Sequence, residues 1–514
     1  MTTKDTNRYI DRPFNIRPIC FWAFFVALTV VVCLASRDAP IWIAVYFIIL
    51  IGAFVGMQFV KSSDKVLTFF GTSRLNFIVT IALCLMVASS FAITNLLYTN
   101  QRSFAGFHDI TGVVENHRIN EDGTGWFVLR NVRFGDERVS GRVWVFVSNP
   151  NETTQGSVTS THRITFNTQL RRAAPSSFYI NNGVRYTASV GMRDEVVRTG
   201  VDRSPRSIIL RHSQRFFRSH MSGRNADLMR AMLFGDRSAL DGELNENFSM
   251  TGLGHVLAVS GMHVGIVVGM LMLLLKLCRV SRKRQIPIIV IALILYCYIC
   301  GFRFSVVRAS IMFMVFIIRR AFLKSNDLLS SISLAAIIIL LWQPHALLSV
   351  SFQFSFACML GLALFMLPFT NFFEKYVKHK RLSQALAIDL STTIMVIPLM
   401  ISYFGFVSLI GLFMNVVFLP VLIIAFKVCV VAVFTWVAFP LLYIVNIALD
   451  MAIAMIWWMA QLPFAHIRVG GGGYWFLLYF VGLIFTSRFI FLRPRYKYSV
   501  ATILILISSI FMLL

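Results

Sequence analysis

The stretch GLGHVLAVSGMHVG, residues 252–265, runs directly into the apolar segment IVVGMLMLLL, residues 266–275. It contains His255 and His263 together with four glycines. Imidazole groups at bilayer depth face a partner, a cavity or a pathway, and glycines allow neighbouring backbone to come close. The stretch therefore predicts a membrane helix whose beginning lines a polar site. Helix packing with two interfacial histidines is the structural alternative.

The composition places this helix among many others. Of the 514 residues, 57% are hydrophobic, and the mean hydropathy is +0.72. Many apolar runs are long enough to span a bilayer, so we expect a polytopic α-helical membrane protein with about 12–14 hydrophobic helices. The formal net charge of +25 indicates anionic partners, either lipid headgroups or nucleic acid. The alternative is that most of this charge only sets the topology.

Three apolar segments, at about 19–35, 41–60 and 75–97, precede a soluble region. Basic residues cluster in the amino-terminal tail and in the loop 61–74, whereas the turn between the first two segments has only Arg37. The positive-inside rule therefore places the amino terminus in the cytoplasm and residues 98–254 outside. Residues 1–97 are thus interpreted as a cytoplasmic tail and three transmembrane helices.

Residues 98–200 predict an inserted, small, exported all-β domain. Five segments rich in β-branched and aromatic residues are separated by turn residues, and they cover 108–116, 125–134, 138–148, 161–168 and 184–192. Five short strands suit a small barrel or sandwich, and an OB-like fold is one candidate.

Aromatic and guanidinium side chains alternate along this domain. Residues 98–222 contain 17 Arg and no Lys, against 10 Asp and Glu. This pattern suits single-stranded nucleic acid, because bases stack on aromatic rings and phosphates bind arginines. The predicted DNA contacts of the exported domain are Trp126, Arg130, Arg133 and Trp144. The alternative is a hydrophobic core, to which several aromatics must belong, with a solvated arginine face.

Residues 201–254 are interpreted as a connector to the membrane helices. Residues 205–222 carry four arginines among apolar residues at helical spacing, which predicts a basic amphipathic helix on lipid headgroups or a polyanion. The motif MLFGDRS follows at 232–238. By their chemistry alone, Asp236 and Arg237 could form a simple surface pair.

From residue 229 to about residue 420 the chain resembles a known family. MLFGDRS at 232–238, TGLGHVLAVSGMHV at 251–264, YICGFRFSVVRASIM at 298–312, and further stretches at 326–356 and 397–420 are similar, in order, to motifs of the ComEC-type competence proteins. Phe304 stands where that family usually has proline, and Phe354 replaces a leucine. Motif residues to which we assign structural roles are Gly235, Asp236, Arg237, Gly252 and Asp327.

Polar and ionisable residues at membrane depth mark a predicted path through a channel domain at 255–514. A lone arginine at that depth costs several kcal/mol unless it is paired or hydrated. For Arg308 the structural alternative is a pair with Asp389 or with backbone carbonyls. The predicted path residues are His255, Ser260, Gly261, His263, Arg303, Arg308, Gln353 and Asn415.

The apolar pieces after residue 386 do not fit the positive-inside rule as full spans. They cover about 386–404, 407–426, 428–443, 445–463, 472–491 and 499–514. Six crossings would place the basic residues of 488–497 outside. A re-entrant piece restores the rule, and our candidate is 407–426, which contains Gly411, Asn415 and Pro420.

The resemblance implies an inner-membrane channel that carries single-stranded transforming DNA into the bacterial cytoplasm during natural competence. It also implies an exported DNA receptor and a cytoplasmic helicase-like ATPase as partners. Membrane lipids are further expected partners, and the sequence leaves open whether the chain forms a homo-oligomer. We expect no enzymatic activity, catalytic residue, cofactor or metal. Many relatives carry a metallo-β-lactamase-like domain, but the sequence has no His-x-His-x-Asp-His. We therefore expect another protein to degrade the second strand.

Two other classes of function stay open at this point. One is a transporter of a smaller anionic or lipid-linked substrate, which would use the same buried arginines. The other is a DNA-processing enzyme that acts through the exported domain. That enzyme would need a convergent carboxylate or histidine cluster, and the scattered acids and histidines of 109–162 show no metal-ligand spacing.

Overall fold

The computed structural model describes residues 18–35, 45–49, 74–104, 106–119, 124–148, 158–174, 176–191, 194–237, 239–322, 328–435, 439–469, 476–486 and 494–513. Its helices are α1 Pro18–Ala35, α2 Arg74–Thr99, α3 Ser177–Asn182, α4 Pro205–His220, α5 Gly223–Phe234, α6 Gly242–Met250, α7 Gly261–Leu277, α8 Arg282–Ile299, α9 Phe304–Phe322, α10 Leu328–Trp342, α11 Val350–Tyr376, α12 Lys380–Phe404, α13 Gly411–Thr435, α14 Phe439–Ala460, α15 Phe476–Thr486 and α16 Pro494–Leu513. Its strands are β1 His108–Ile119, β2 Gly125–Phe134, β3 Glu137–Arg138, β4 Arg142–Val147, β5 His162–Thr168, β6 Arg171–Arg172, β7 Val184–Val190, β8 Val197–Val201, β9 Phe406–Ser408 and β10 His466–Arg468.

Membrane-type helices make up most of the fold. Among the described residues, five helices are long and apolar enough to cross a bilayer, and they are Ile78–Thr99 within α2, all of α11, α12 and α13, and Pro440–Ala460 within α14. Shorter apolar helices include α7 and α10. A helical, multi-pass membrane protein is thereby confirmed, whereas the number of 12–14 hydrophobic helices stays a prediction.

The prediction for residues 407–463 was wrong in its boundaries. Three predicted apolar pieces are two helices, because α13 runs unbroken for 25 residues and α14 follows it. Pro420 lies inside α13 rather than at a break. Proline is tolerated in a membrane helix when neighbouring groups satisfy the freed backbone. The re-entrant segment at 407–426 is therefore not confirmed.

A short sheet fixes where these two helices begin and end. β9, just before α13, pairs antiparallel with β10, just after α14, so that Val407 lies opposite Ile467. The chain thus leaves and returns to the same side of the helix bundle between residues 408 and 466. That segment crosses the bundle an even number of times.

The strands between residues 108 and 201 form one eight-stranded mixed sheet. Its order is β6-β7-β4-β2-β1-β5-β8, with β3 paired to β2, and among the strand pairs that the structure describes only β4–β7 is parallel. The five predicted strands correspond to β1, β2, β4, β5 and β7, so the small β domain is confirmed. Its OB-like form is not confirmed, because the described residues show no strand pairing between β5 and β7.

Side chains alternate between the two faces of this sheet. On β2, Phe127 and Leu129 are fully buried, whereas Trp126 and Arg130 lie on the opposite face. Period-two alternation puts every second residue on the same face. Phe127 packs with Ile110, Ile164 and other apolar residues as the core of the domain.

The connector packs on the membrane helices. The predicted basic helix is α4, which Ser204 caps by accepting a hydrogen bond from the backbone N–H of Ser207. The apolar side of α4 is covered by protein, since Phe217 is buried in one cluster with residues of α5, α13 and α14. Contact of α4 with lipid headgroups or a polyanion stays a prediction.

Candidate nucleic-acid interface

The β domain meets the membrane helices at a buried carboxylate. Glu115 of β1 accepts two hydrogen bonds from Arg142, at 2.6 and 3.1 Å, and the guanidinium of Arg206 lies 3.9 Å away. Burial raises the pKa of Glu115, but Arg142, with Arg206 and Arg303, outweighs burial and holds it below its usual value. Arg206 also donates to the carbonyl of Ile299, at the end of α8, at 3.0 Å. This network joins the sheet to the membrane domain.

Arg303, a predicted path residue, lies at this junction. Its guanidinium donates to Oδ1 of Asn116 on β1 at 2.6 Å. A Cβ on Gly235 would lie 2.9 Å from the Arg303 side chain, so the glycine leaves room for it. Gly235 also has a positive φ of 74° at the end of α5, which glycine adopts without strain. Arg303 therefore connects three parts of the chain.

The guanidinium groups of Arg237 and Arg303 lie near each other beside this junction. We use the name arginine recess for these two arginines together with His255 and Gly261, which lie on the segment that leads into α7. Arg237 is exposed, but the surrounding protein desolvates it, and with Arg303 close by its pKa falls to about 10. His255 is likewise exposed, and desolvation lowers its pKa, so it is neutral at physiological pH.

Two side-chain hydrogen bonds to backbone carbonyls position Arg237 and His255. Nε of Arg237 donates to the carbonyl of Leu257 at 2.9 Å, and Nδ1 of His255 donates to that of Gly252 at 3.1 Å. Ser260 and His263 form a capping box at the start of α7, in which the backbone N–H of Ser260 donates to Nδ1 of His263 at 3.0 Å. His263 is fully buried and contacts Phe426. His263 is therefore buried, whereas His255 is exposed, and the place of either residue on a path stays a prediction.

Arg308 lies on α9, about 6 Å along the helix axis from its first residue. It is 2% exposed and hydrogen-bonds to Ser351 at the start of α11. Its Nε and Nη1 groups are buried and have no hydrogen-bond partner among the described residues. The predicted alternative, an Arg308–Asp389 pair, is not what the structure shows. Asp389 instead accepts from Asn415 of α13 at 2.9 Å.

Two further predicted path residues lie in helix contacts. Asn415 is held by Asp389, which joins α13 to α12. Gln353 of α11 donates to the carbonyl of Leu347 at 3.1 Å and accepts from the hydroxyl of Tyr403 at 2.8 Å. The structure does not bring these two residues to the arginine recess. Their place on a path stays a prediction.

Four aromatic rings form what we call the stacking row, Trp126, Trp144, Phe146 and Phe178. The indoles of Trp126 and Trp144 stack with centroids 4.4 Å apart, and Phe178 of α3 meets Trp144 edge-on at 5.4 Å. Phe146 and Phe178 are 46% and 54% exposed. The row occupies the sheet face opposite the core, the same face as Arg142 on β4.

The two arginines predicted beside these rings differ in their availability. Arg130 forms an ion pair with Asp202 and hydrogen-bonds to Ser204 and Ser207 at the start of α4. Arg133 is exposed on β2. Arg130 thus anchors α4 to the sheet, and of the two only Arg133 presents its guanidinium to solvent.

Comparisons with known proteins identify the family to which this chain is similar. A family model described as Competence protein matches residues 232–494, which is half of the chain. The chain belongs to this family. ComE operon protein 3 of Bacillus subtilis (strain 168) is 27% identical over 210 residues, which cover 41% of this chain and 26% of that protein. The chain thus matches about a quarter of that relative's length, and no solved structure matches it.

Two residues of the competence motifs make close contacts with other parts of the chain. Asp236 forms an ion pair with Arg230 at 2.6 Å, and both side chains are about 5% exposed or less. It is therefore not the partner of Arg237 in a surface pair. Gly252 has a φ of 82°, and a Cβ there would lie 2.9 Å from the Cα of Gly411 at the start of α13. Asp327 lies outside the described residues.

Sequence reasoning missed the partners that position these motifs. Glu115, Asn116 and Ser351 are ordinary polar residues, and each is distant along the chain from the arginine that it binds. One signal was present for Glu115, since it interrupts a buried strand pattern on β1. A carboxylate in such a place needs a cationic partner.

Proposed function

We propose that this protein is an inner-membrane channel for uptake of single-stranded DNA during natural competence. The observation that carries the proposal is that guanidinium groups outnumber carboxylates where the β domain meets the membrane helices and along the first turns of α9. Arg237 and Arg308 have no carboxylate partner among the described ion pairs. Membership of the competence family supports this function.

Arg308 is the deepest of these groups. A buried cation without a counter-charge is unstable unless a partner or water reaches it. A phosphate supplies several anionic oxygens, and guanidinium binds phosphate with paired, charge-assisted hydrogen bonds. The two unpartnered N–H groups of Arg308 match that need. In our proposal they contact successive phosphates of the passing strand.

The stacking row provides the approach to the recess. Aromatic stacking holds bases without regard to sequence, at about 1–3 kcal/mol per base. Trp144 lies two residues from Arg142, whose guanidinium contacts the carbonyl of Gly301 beside the membrane helices. The strand would therefore move along one sheet face, OB-like in our interpretation, toward the arginine recess. Binding at each position must stay weak enough to allow passage.

Membrane topology agrees with this direction of transport. Because β9 and β10 lie on one side, α13 and α14 make two crossings between them. With the apolar segments 472–491 and 499–514 taken as single crossings, the basic residues of 488–497 then fall on the same side as the basic loops 276–284 and 375–381. The positive-inside rule makes that side cytoplasmic, without a re-entrant segment. The β domain faces outward and the amino terminus inward.

The energy for uptake would come from outside this chain. The sequence has no GxxxxGK[ST] phosphate-binding loop. A cytoplasmic helicase-like ATPase that pulls the strand, and an exported receptor that delivers DNA, are the partners we propose. The chain itself would act by positioning and electrostatics, as a conduit rather than an enzyme.

The test is internalisation of labelled DNA in the native host. It compares wild type, a deletion, Arg308→Ala and the control Lys427→Ala at matched membrane abundance. Lys427 is an exposed cation on α13, so its removal changes membrane charge without touching the buried site. We expect the deletion and Arg308→Ala to abolish uptake while surface-bound DNA persists, and Lys427→Ala to be neutral. Unchanged uptake in the deletion would overturn the channel and favour a small-anion transporter.

A further inference from the structure

A cavity of about 540 Å³ lies at the opposite end of the membrane domain from the arginine recess. It is formed where α7 ends and α8 begins, with Ile317 of α9 at one side. α7 starts at Gly261, in the recess, and its 17 residues span about 25 Å. The cavity is therefore separated from the recess by nearly the thickness of the hydrocarbon layer.

Cations surround the opening of this cavity. Lys276, Arg279 and Arg282 line it, and all three side chains are exposed. The sequence has no Asp or Glu between Glu246 and Asp327. Within the described part of the chain, none of the three cations forms an ion pair. Their charge is available to an anionic ligand.

The turn that presents these cations has a fixed backbone. Arg279 adopts a left-handed conformation with φ of 55°, which is rare for a residue other than glycine. Backbone N–H groups of Arg279 and Val280 donate to Lys276 and Leu275 at 3.0 and 2.9 Å, and Gln285 closes the turn by donating to Val280 at 2.8 Å. The chain thus holds the basic groups in place instead of leaving them on a loose loop.

Apolar side chains form the wall behind the cations. They are Met272, Leu273, Ile286, Ile289 and Ile317. Phosphate or a nucleotide alone would gain nothing from such a wall. A molecule with an anionic head and a hydrocarbon chain would use both parts of the cavity, since the chain is removed from water there.

We propose that this cavity binds an anionic phospholipid, with the headgroup phosphate on Lys276, Arg279 and Arg282 and an acyl chain along the apolar wall. The site is separate from the proposed DNA path and holds whether or not that path is correct. Bound lipid would fix the α7–α8 turn at the headgroup level of the inner leaflet.

The test uses the full chain, purified and reconstituted in nanodiscs of phosphatidylcholine. Binding of spin-labelled phosphatidylglycerol is compared with binding of labelled phosphatidylcholine. The first variant is Lys276→Gln/Arg279→Gln/Arg282→Gln. The control is Lys375→Gln/Lys378→Gln/Lys380→Gln, which removes the same charge from exposed residues of the other basic loop. We expect the first variant to lose at least about tenfold in phosphatidylglycerol binding, and the control to keep it.

A second variant, Met272→Trp, narrows the cavity without changing the charge. It should also weaken phosphatidylglycerol binding. Equal losses in the two triple variants would mean a diffuse basic surface and would overturn the site. Unchanged phosphatidylglycerol binding in Met272→Trp would also overturn the site. Displacement of phosphatidylglycerol by inorganic phosphate, at constant ionic strength, would likewise contradict it, because it would show that the apolar wall does not contribute. Gel filtration of each variant, with an unaltered elution volume, excludes misfolding as the cause.

Discussion

Arg303, at the head of a membrane helix, donates a 2.6 Å hydrogen bond to Asn116, in the second half of the first strand of the β domain. Glu115, next to Asn116, binds Arg142 of the sheet and lies near Arg206 of the connector. One short piece of β1 thus fastens the sheet, the connector and the membrane helices together. The β domain and the membrane helices are therefore held in one fixed relation, which several variants can test.

The first prediction concerns Glu115→Gln. Removing the carboxylate leaves Arg142 and Arg206 without their counter-charge in a buried place, at a cost of about 3–5 kcal/mol. We expect a clearly lower melting temperature in detergent micelles at neutral pH. The control is Glu137→Gln, because Glu137 belongs to an exposed ion pair with Arg102. That variant should melt like the wild type.

The same residue predicts a pH dependence. The pKa of Glu115 is lower in the folded protein than its usual value of 4.5, since its arginines outweigh burial. Its stabilising contribution is therefore complete above that value and is lost as the pH falls through the lower, folded pKa. Wild type should lose more stability on acidification than Glu115→Gln. Parallel melting curves of the two proteins against pH would contradict the assignment.

The second prediction tests the close contact at Gly252. An added Cβ would meet the backbone of Gly411 at 2.9 Å, where no side chain can move aside, and the φ of 82° adds strain. We expect Gly252→Ala to cost at least about 2 kcal/mol. Gly242→Ala is the matched control, because nothing lies within 4 Å of its Cβ position. Thermal unfolding should give a lower melting temperature for Gly252→Ala than for Gly242→Ala. Equal melting temperatures would show that the backbone around Gly411 can move to accommodate the added methyl group.

The third prediction is a double-mutant cycle on Arg230 and Asp236. Each single change, Arg230→Met or Asp236→Leu, leaves one buried charge alone and should cost about 3–5 kcal/mol. The double variant should recover much of this loss, which gives a large coupling energy. The control cycle pairs Asp236→Leu with Arg237→Ala and should be nearly additive. Similar coupling energies in both cycles would contradict the Arg230–Asp236 assignment and would support a pair between Asp236 and Arg237.

Local patterns in the sequence predicted much of this fold. Five strands of the β domain follow from their alternation and turn residues, and several aromatics were expected in the core, where Phe127 is fully buried. The helix predicted at 205–222 follows from its apolar spacing, and α4 covers 205–220. These features are local, so residues within one element suffice to define them.

Features that depend on tertiary contacts could not be predicted in this way. The run 407–463 is almost uniformly apolar, so Pro420 was interpreted as part of a break, and only the pairing of β9 with β10 shows how the chain returns. Arg308 and Asp389 were candidates for one ion pair, yet they have different partners on different helices. Helical spacing says which residues share a face, but not which helix covers that face.

The last prediction concerns the stacking row. Trp144→Ala and Phe146→Ala should each weaken binding of single-stranded oligonucleotides to the purified protein by about 1–3 kcal/mol, because each removes a surface on which a base stacks. Phe107→Ala is the control, since Phe107 is 70% exposed in the same domain and has no ring contact with the row in the described structure. Fluorescence anisotropy with thymidine oligomers measures all three. Arg133→Ala should act differently and reduce the salt dependence of binding, because a phosphate contact releases counterions whereas stacking does not. If Phe107→Ala weakens binding as much as Trp144→Ala does, any exposed aromatic side chain contributes equally to binding, and a specific role of the stacking row is contradicted.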